Sequence, residues 1–300
     1  MTQGSEGEGQ TAGEVVRSTL AGTDARAEPA GRVVTEASGG EAEPVLYEVR
    51  GSAAWLTLNR PDRLNAVSER LYGALLDGVR RAEKDESVRA VVVTGSGRAF
   101  CAGADLKAHA ESEAGLKQRR RYARAAERAN RALQRCSKPV IAAVNGHAVG
   151  GGLELALSCD FMIVAAEAKL RFPELSLGTF VGGGVSYTLP ERVGVTRARE
   201  LLLLGDFFSG TDAAATGLAN RAVASAHVAT VSAALAERLA AQAPIPLRLA
   251  RRLLRRAQRM GRGAVMAAET RALAQCMGTE DWKEGVVAFR EKRPPRYTGR

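Results

Sequence analysis

The pattern of apolar and polar positions changes character at Pro44. Residues 1–44 are rich in Gly, Glu, Ala, Ser and Thr, carry no aromatic residue and show no sustained period. Such a stretch buries too little apolar surface to offset chain entropy, so a disordered tail is expected there. Beyond it, Val45–Arg50 and Ala53–Asn59 alternate about Gly51 as a short hairpin, and Asn59-Arg60-Pro61-Asp62 breaks the second strand. Ser68 reads as the N-cap of an amphipathic helix with Leu71, Leu75 and Val79 on one face. Ala90–Val93 and Pro139–Val144 are short apolar runs of the kind that form fully buried strands. Between them lies a long basic helical segment, roughly Glu113 to Cys136. Gly150–Cys159 predicts a helix opened by glycines, and Asp160–Ala165 and Lys169–Phe172 predict further strands.

The remaining pattern is mainly helical, over Arg197–Leu204, Thr211–Gly217, Val228–Gln242, Pro246–Met260 and Arg262–Met277. Strands mix with helices up to about Val223 and helices dominate afterwards, which implies an α/β body with a helical C-terminal layer. The expected division is a tail at 1–44, an α/β core at 45–243 and a helical region at 244–300, with a soft boundary near Ala243-Pro244. No fixed-period repeat is present.

Composition narrows the field. With 300 residues, 45% of them hydrophobic and 25% charged, the chain can bury a large core without disulfide or metal staples. Cys101, Cys136, Cys159 and Cys276 show neither a CxxC spacing nor a zinc-type pairing with histidine, which predicts free thiols in a reducing compartment. No apolar run is long enough for a membrane span. The tail lacks the apolar stretch of a signal peptide and is too acidic for a mitochondrial transit peptide, so a cytoplasmic location is expected. The net charge of +10 is unevenly spread: three arginines against eight acidic residues give the tail −5 and leave +15 on the rest. A basic body suits a polyanionic partner, whether nucleic acid, an acidic lipid surface or a phosphate-bearing small molecule.

Several familiar chemistries fail on spacing. Gly95-Ser96-Gly97 follows a strand as a dinucleotide loop would, but Phe100 stands where the third glycine belongs. His109, His147 and His227 lack partners at metal-ligand spacing, and no serine sits in a GxSxG elbow. Cys101 has no local activating group and reads as a buried small thiol.

A stronger constellation is Gly146-His147-Ala148-Val149-Gly150-Gly151-Gly152-Leu153-Glu154. Glycines before a helical pattern let backbone N–H groups approach an anion, including an oxyanion that develops during reaction. They equally permit close strand–helix packing, and the sequence alone leaves both readings open. Ala102-Gly103-Ala104-Asp105-Leu106 is a second candidate donor loop. Glu154 stands three residues past Gly151, as a catalytic carboxylate or as a plain N-terminal charge. Glu174 follows Phe172-Pro173, as an acid/base group or as a solvated turn residue. If both face one anion-stabilising loop, they form a water-handling acid/base pair.

These motifs together resemble the enoyl-CoA hydratase/isomerase (crotonase) superfamily. The resemblance rests on Gly150-Gly151-Gly152-Leu153-Glu154-Leu155-Ala156, Cys159-Asp160, and Pro173-Glu174 leading into Gly178. Arg60-Pro61 before Leu64-Asn65-Ala66, Phe100-Cys101-Ala102-Gly103-Ala104-Asp105-Leu106-Lys107 and Ser137-Lys138-Pro139-Val140 extend it. So do Glu284-Gly285, Ala288-Phe289 and Glu291-Lys292-Arg293-Pro294, which carry it across about residues 45–300. It implies a spiral of ββα units with C-terminal helices that assemble homotrimers, usually paired into hexamers. It implies an acyl-CoA thioester substrate, its oxygen held by the N–H groups of Ala104 and Gly151, with Glu154 and Glu174 as the catalytic pair. Ala102, Gly103, Asp105, Leu106, Lys107 and Gly182 are the matching substrate-binding positions, and no metal or redox cofactor is implied. Lys107 and Lys292 are candidates for the coenzyme A phosphates.

One segment departs from the family pattern. Many hydratases read Gly-Thr-x-Pro-Gly-x-Gly-Gly-Thr-Gln-Arg-Leu, whereas this chain has Val181 for the proline, Val185 for the last glycine, and Ser186-Tyr187-Thr188 for Thr-Gln-Arg. Gly182 is kept. The expectation is hydration of a trans-2-enoyl-CoA with an altered acyl wall. An isomerase needing Glu174 alone is the alternative enzyme, and a nucleic-acid-binding member of the fold the alternative of another class. Arg119, Arg120, Arg121, Arg124, Arg251, Arg252, Arg255 and Arg256 lie on helical patterns and are expected on solvated faces or subunit contacts.

Overall fold

Short apolar runs build two sheets at once. The larger holds β1 (Arg32–Val33), β2 (Val45–Arg50), β3 (Ala53–Leu58), β4 (Ala90–Gly95), β6 (Val140–Val144), β8 (Phe161–Ala165) and β11 (Arg221–Val223), in the order β1-β2-β3-β4-β6-β8-β11. The smaller holds β5 (Ala99–Cys101), β7 (His147–Val149), β9 (Lys169–Arg171) and β10 (Phe208–Ser209), in the order β10-β9-β7-β5. This computed structural model describes residues 42–105 and 115–300 together with the backbone of Arg32–Val33. Most of the tail expected at 1–44, the candidate residues Leu106 and Lys107, and the start of the basic helix lie outside the described residues. The residues described belong to one folded unit, Gly31–Arg300. Within the span read as a tail, Arg32 and Val33 pair antiparallel with Val49 and Glu48 of β2.

The helices are α1 (Glu69–Lys84), α2 (Leu116–Arg135), α3 (Gly151–Leu157), α4 (Val185–Arg199), α5 (Gly210–Ala215), α6 (Ser225–Ala240), α7 (Pro244–Ala257), α8 (Arg262–Met277) and α9 (Glu280–Glu291). The chain winds as a spiral in which β4–β5–α2, β6–β7–α3 and β8–β9–α4 are successive ββα turns. Each turn adds its first strand, in parallel, to the larger sheet and its second to the smaller. Ser68 caps α1 as its position predicts, its hydroxyl accepting from the Leu71 N–H at 3.2 Å. Leu71, Leu75 and Val79 are wholly buried, each contributing about 1.5–3 kcal/mol of apolar burial. α6 packs across β4, β6 and β8, and α7, α8 and α9 form the C-terminal layer.

Two helices differ from the sequence pattern for identifiable reasons. Ahead of the segment expected as helical from Arg197, helix already forms from Val185; Pro190 interrupts its period and Gly194, at φ 74°, breaks the span into two helical pieces joined at a kink. α9 goes unread as a helix, yet Thr279 caps it, accepting from the Trp282 N–H at 3.1 Å.

Part of the arginine expectation is overturned. Arg251 is 8% exposed and forms an ion pair with Asp160, while its Nη1 donates to the Cys136 carbonyl at 2.6 Å. Asp160 also accepts from the Val140 N–H at 2.8 Å and faces Arg255 at 3.6 Å. A burial cost for charge is tolerable only with such pairing, so α7 is latched to the edge of β6 rather than turned to solvent by these side chains.

Candidate active site

The register of the smaller sheet determines which loops meet. β5 runs parallel to β7 with Cys101 opposite Ala148, and β7 parallel to β9 with Val149 opposite Arg171. The three strands therefore end side by side, releasing Gly103-Ala104, Gly150-Gly151 and Pro173-Glu174 at one place. Ligands commonly bind at such carboxyl ends of parallel strands.

The approach of the first two loops depends on missing side chains. Gly103 has φ +84°, and a Cβ there would stand 2.6 Å from the Val149 carbonyl oxygen and 3.6 Å from the Gly151 nitrogen. The Leu64-Asn65-Ala66 turn straps this loop from behind: Ala102 N–H donates to Leu64 O at 2.9 Å and Val67 N–H to Gly103 O at 2.8 Å. Asn65 holds the strap. It is completely buried at φ 56°, accepts from the Arg60 N–H at 2.8 Å, and donates to Ser96 O at 2.9 Å and Ala99 O at 2.8 Å. Neither the Ala104 nor the Gly151 N–H has an acceptor among the described residues.

Two carboxylates flank these amides. Glu154 lies in α3 between the buried Leu153 and Leu155 and accepts from the Gly182 N–H at 2.7 Å. Burial pushes its pKa up to about 7 against the pull of that hydrogen bond, and the charge of Glu174 adds to the rise. Glu174 is itself buried, at 7% exposure, and its Oε2 has no partner among the described residues. Burial raises its pKa as well, while its own backbone N–H and the Arg171 charge draw it back. Gly150, at φ +51°, makes room for it, since a Cβ there would lie 2.6 Å from Glu174 Oε1. The structure thus brings Glu154, Glu174, Ala104, Gly151, Gly103 and Gly182 together.

A cleft of about 1080 Å³ adjoins this group, lined by Val67, Ala104, Tyr122, Ala126, Val181 and Gly182 among others. Asp105 lines it too, paired with Arg60 at 3.6 Å. Arg119 and Arg121 also border the cleft, Arg121 pairing with Glu69 at 2.6 Å, so part of the basic face of α2 looks onto the site. Ala102 supports the strap through its N–H. Lys292 is exposed at the end of α9. Among the described residues no cluster of His, Cys, Asp or Glu could hold a metal ion. Arg171, Tyr72 and Tyr122 also reach this neighbourhood and were not singled out by sequence. Their spacing carries no signal, because Tyr72 occupies an ordinary buried position and Tyr122 a partly buried one on amphipathic helices.

Comparison with known proteins places the described fold in a family. Residues 48–300 match the family described as enoyl-CoA hydratase/isomerase. A putative enoyl-CoA hydratase of Thermus thermophilus is 40% identical, the match covering 83% of this chain and 98% of that protein. A 2,3-dehydroadipyl-CoA hydratase of Escherichia coli is 36% identical over 82% of this chain and 94% of its own length. The crystal structure of an enoyl-CoA hydratase from Bacillus anthracis superposes with a TM-score of 0.82 at 33% identity, covering 86% of this chain and all of that one (100%). The spiral, its helical C-terminal layer and these matches together make the chain a member of the enoyl-CoA hydratase/isomerase (crotonase) family.

Proposed function

We propose that the protein hydrates a trans-2-enoyl-CoA thioester. The observation that carries this reading is the pair of buried, pKa-raised carboxylates Glu154 and Glu174 beside two backbone N–H groups that have no acceptor among the described residues. In this reading the Ala104 and Gly151 N–H groups receive the thioester oxygen and stabilise the enolate that forms at it. Water sits between the two carboxylates. As its oxygen bonds to the β-carbon, Glu154 takes one of its protons, and Glu174 gives a proton to the α-carbon. The pair carries one proton before and after, ending on Glu154. That is the group whose burial and neighbouring charge favour the protonated form, while Arg171 favours the carboxylate on Glu174. The proton then returns to Glu174 by exchange with water.

The named activities of the relatives support the same substrate class. An isomerase would need Glu174 alone, and retention of Glu154 beside it favours hydration. Leu254, Leu273 and Phe289 are exposed on the C-terminal layer, at 75%, 61% and 85%, which supports assembly through these helices into trimers or hexamers.

The test is a panel of short, long and aromatic trans-2-enoyl-CoA esters, followed by loss of the conjugated-thioester absorbance and by mass. Gain of one water is expected, and Glu174→Gln should abolish turnover while keeping ester binding. Conversion of 3-enoyl to 2-enoyl esters without gain of water would replace hydration by isomerisation, and full turnover in Glu174→Gln would sink the two-carboxylate reading.

A further inference from the structure

Tyr72 and Tyr122 connect the Gly151 peptide to the wall of the cleft, and the two-carboxylate chemistry leaves both unused. Tyr72 follows Leu71 on α1 and is 2% exposed, buried almost as deeply as the leucines beside it. Its hydroxyl is seated on Gly151: a Cβ on that glycine would stand 3.0 Å from Tyr72 Oη, with Val67 Cγ2 at 3.4 Å. The two hydroxyls are coupled by a side-chain hydrogen bond, and the two rings meet edge to face, their centroids 5.8 Å apart at 67°. Tyr122 in turn lines the cleft together with Val67, Ala104 and Gly182.

The chemistry of the pair is that of neutral donors. Burial pushes both phenols up, Tyr122 to about 12, and the nearby Glu154 carboxylate adds to the rise in each. Both keep their protons across the neutral range. A phenol has one proton to give. One of the two protons bridges the pair, which ties the ring of Tyr122 to that of Tyr72. A buried helix–helix contact needs no hydroxyls, since phenylalanine fills nearly the same space and a buried hydroxyl pair adds little net stability. What the hydroxyls add is a fixed orientation for the Tyr122 ring.

We propose that Tyr122 is a substrate-positioning residue, its phenol packed against the acyl thioester beside the Ala104 and Gly151 N–H groups, and that Tyr72 holds it in register from behind. The proposal rests on the hydratase reading and adds to it the pair that fixes how the thioester lies. Such placement acts on rate more than on affinity, because a reacting group displaced by about 1 Å can cost on the order of a hundredfold.

The experiment compares Tyr72→Phe, Tyr122→Phe and the double variant, each missing only hydroxyls. Each single variant should lower kcat about tenfold or more with KM held within about twofold, and the double variant should be no worse than either, since the two act as one unit. A second readout is the near-ultraviolet band of a saturating aromatic 2-enoyl-CoA, which moves to longer wavelength when donors polarise the bound thioester. Wild type should show this shift and Tyr72→Phe should reduce it. An unchanged kcat with a lowered Tm, fully additive losses, or a rise in KM alone would reduce the pair to packing or uniform binding and overturn the proposal. Wild type that binds and shifts the ester without hydrating it overturns hydration alone, and the shift in the variants then decides the pair. Wild type that does not bind the ester overturns both.

Discussion

Gly182 donates its N–H to Glu154 Oε1 at 2.7 Å and, having no side chain, leaves the other oxygen in place, since a Cβ on Gly182 would stand 3.0 Å from Glu154 Oε2. One residue thus fixes the carboxyl group and keeps one side of it clear. The hydrogen bond favours the charged form, yet burial wins and the proton is held to about pH 7. The carboxylate is retained at a cost to the fold.

That cost has a sign and a pH window. Glu154 ionises near the ordinary 4.5 in the unfolded chain and near 7 in the folded one. Below pH 4.5 both states are protonated and the group costs nothing. Between the two values the unfolded state loses its proton first, and stability falls by about 1.4 kcal/mol per pH unit. Above pH 7 the loss levels off at about 3 kcal/mol. Glu154→Gln keeps an oxygen for the Gly182 N–H and removes the titration. In denaturant unfolding the variant should match wild type near pH 4.5 and exceed it by up to about 3 kcal/mol at pH 8. Parallel stability curves over that range would refute the shifted carboxyl.

Gly103 gives a prediction of opposite character. A methyl group there meets the Val149 carbonyl at 2.6 Å on a backbone at φ +84°. Gly103→Ala should destabilise by about 2–5 kcal/mol, from left-handed strain together with overpacking against a backbone that cannot yield. Because the same contact sets how closely Ala104 approaches Gly151, turnover should fall further than the loss of folded protein explains. Gly73 in α1 has nothing within 4 Å of a built Cβ. There the same substitution should stabilise by about 0.5–1 kcal/mol and leave turnover unaltered. Thermal and urea unfolding of both variants, with activity per folded molecule, separates the cases.

Much of the framework was legible because its signals are local. The hairpin about Gly51, the Ser68 cap and the apolar strand β4 each follow from a few consecutive residues. The glycines at 150–152 showed that some backbone approach was needed, but not to what. Whether Glu154 and Glu174 meet depends on Val149 standing opposite Arg171 in a strand pair, and a pairing register between three-residue strands leaves almost no trace in sequence. Strands β5, β7, β10 and β11 are too short for a period to show. The place of Arg251 is hidden for a related reason: it lies on a helix that is basic throughout, and only the fold reveals that Arg251 and Arg255, among the arginines of that helix, face Asp160.

The Arg251–Asp160 pair can be tested through what each partner leaves behind. Asp160→Ala strands a guanidinium that is 8% exposed, together with the unpaired Val140 N–H at the edge of β6. Breaking a buried pair in this way should cost about 3–5 kcal/mol. Arg251→Met leaves Asp160 with Arg255 at 3.6 Å and the Val140 amide, and should cost less. The double variant should recover part of the loss in Asp160→Ala, since no charge is then left buried alone. A double-mutant cycle in urea gives the coupling directly. Strict additivity would mean that the C-terminal layer is not latched through this pair.

Asn65 links fold and site most directly, and two substitutions divide its duties. Its side chain makes four hydrogen bonds, accepting from the Arg60 N–H and, at 3.4 Å, from the Ser96 hydroxyl, and donating to the carbonyls of Ser96 and Ala99, while its backbone sits at φ 56°. Asn65→Gly keeps the left-handed turn without strain but deletes every side-chain bond. The two carbonyls and one amide left in a water-free interior should cost about 2–4 kcal/mol in total, allowing for partial relaxation. Asn65→Ala loses the same bonds and adds about 1–2 kcal/mol of left-handed strain. In both variants the strap from Leu64 O to Ala102 N–H and from Gly103 O to Val67 N–H loosens, and Ala104 loses its fixed place beside Gly151. Turnover should therefore fall in both to a similar extent, while stability falls further in the alanine variant. Equal stability of the two would remove the conformational role, and full activity in either would show that Ala104 keeps its place without the strap.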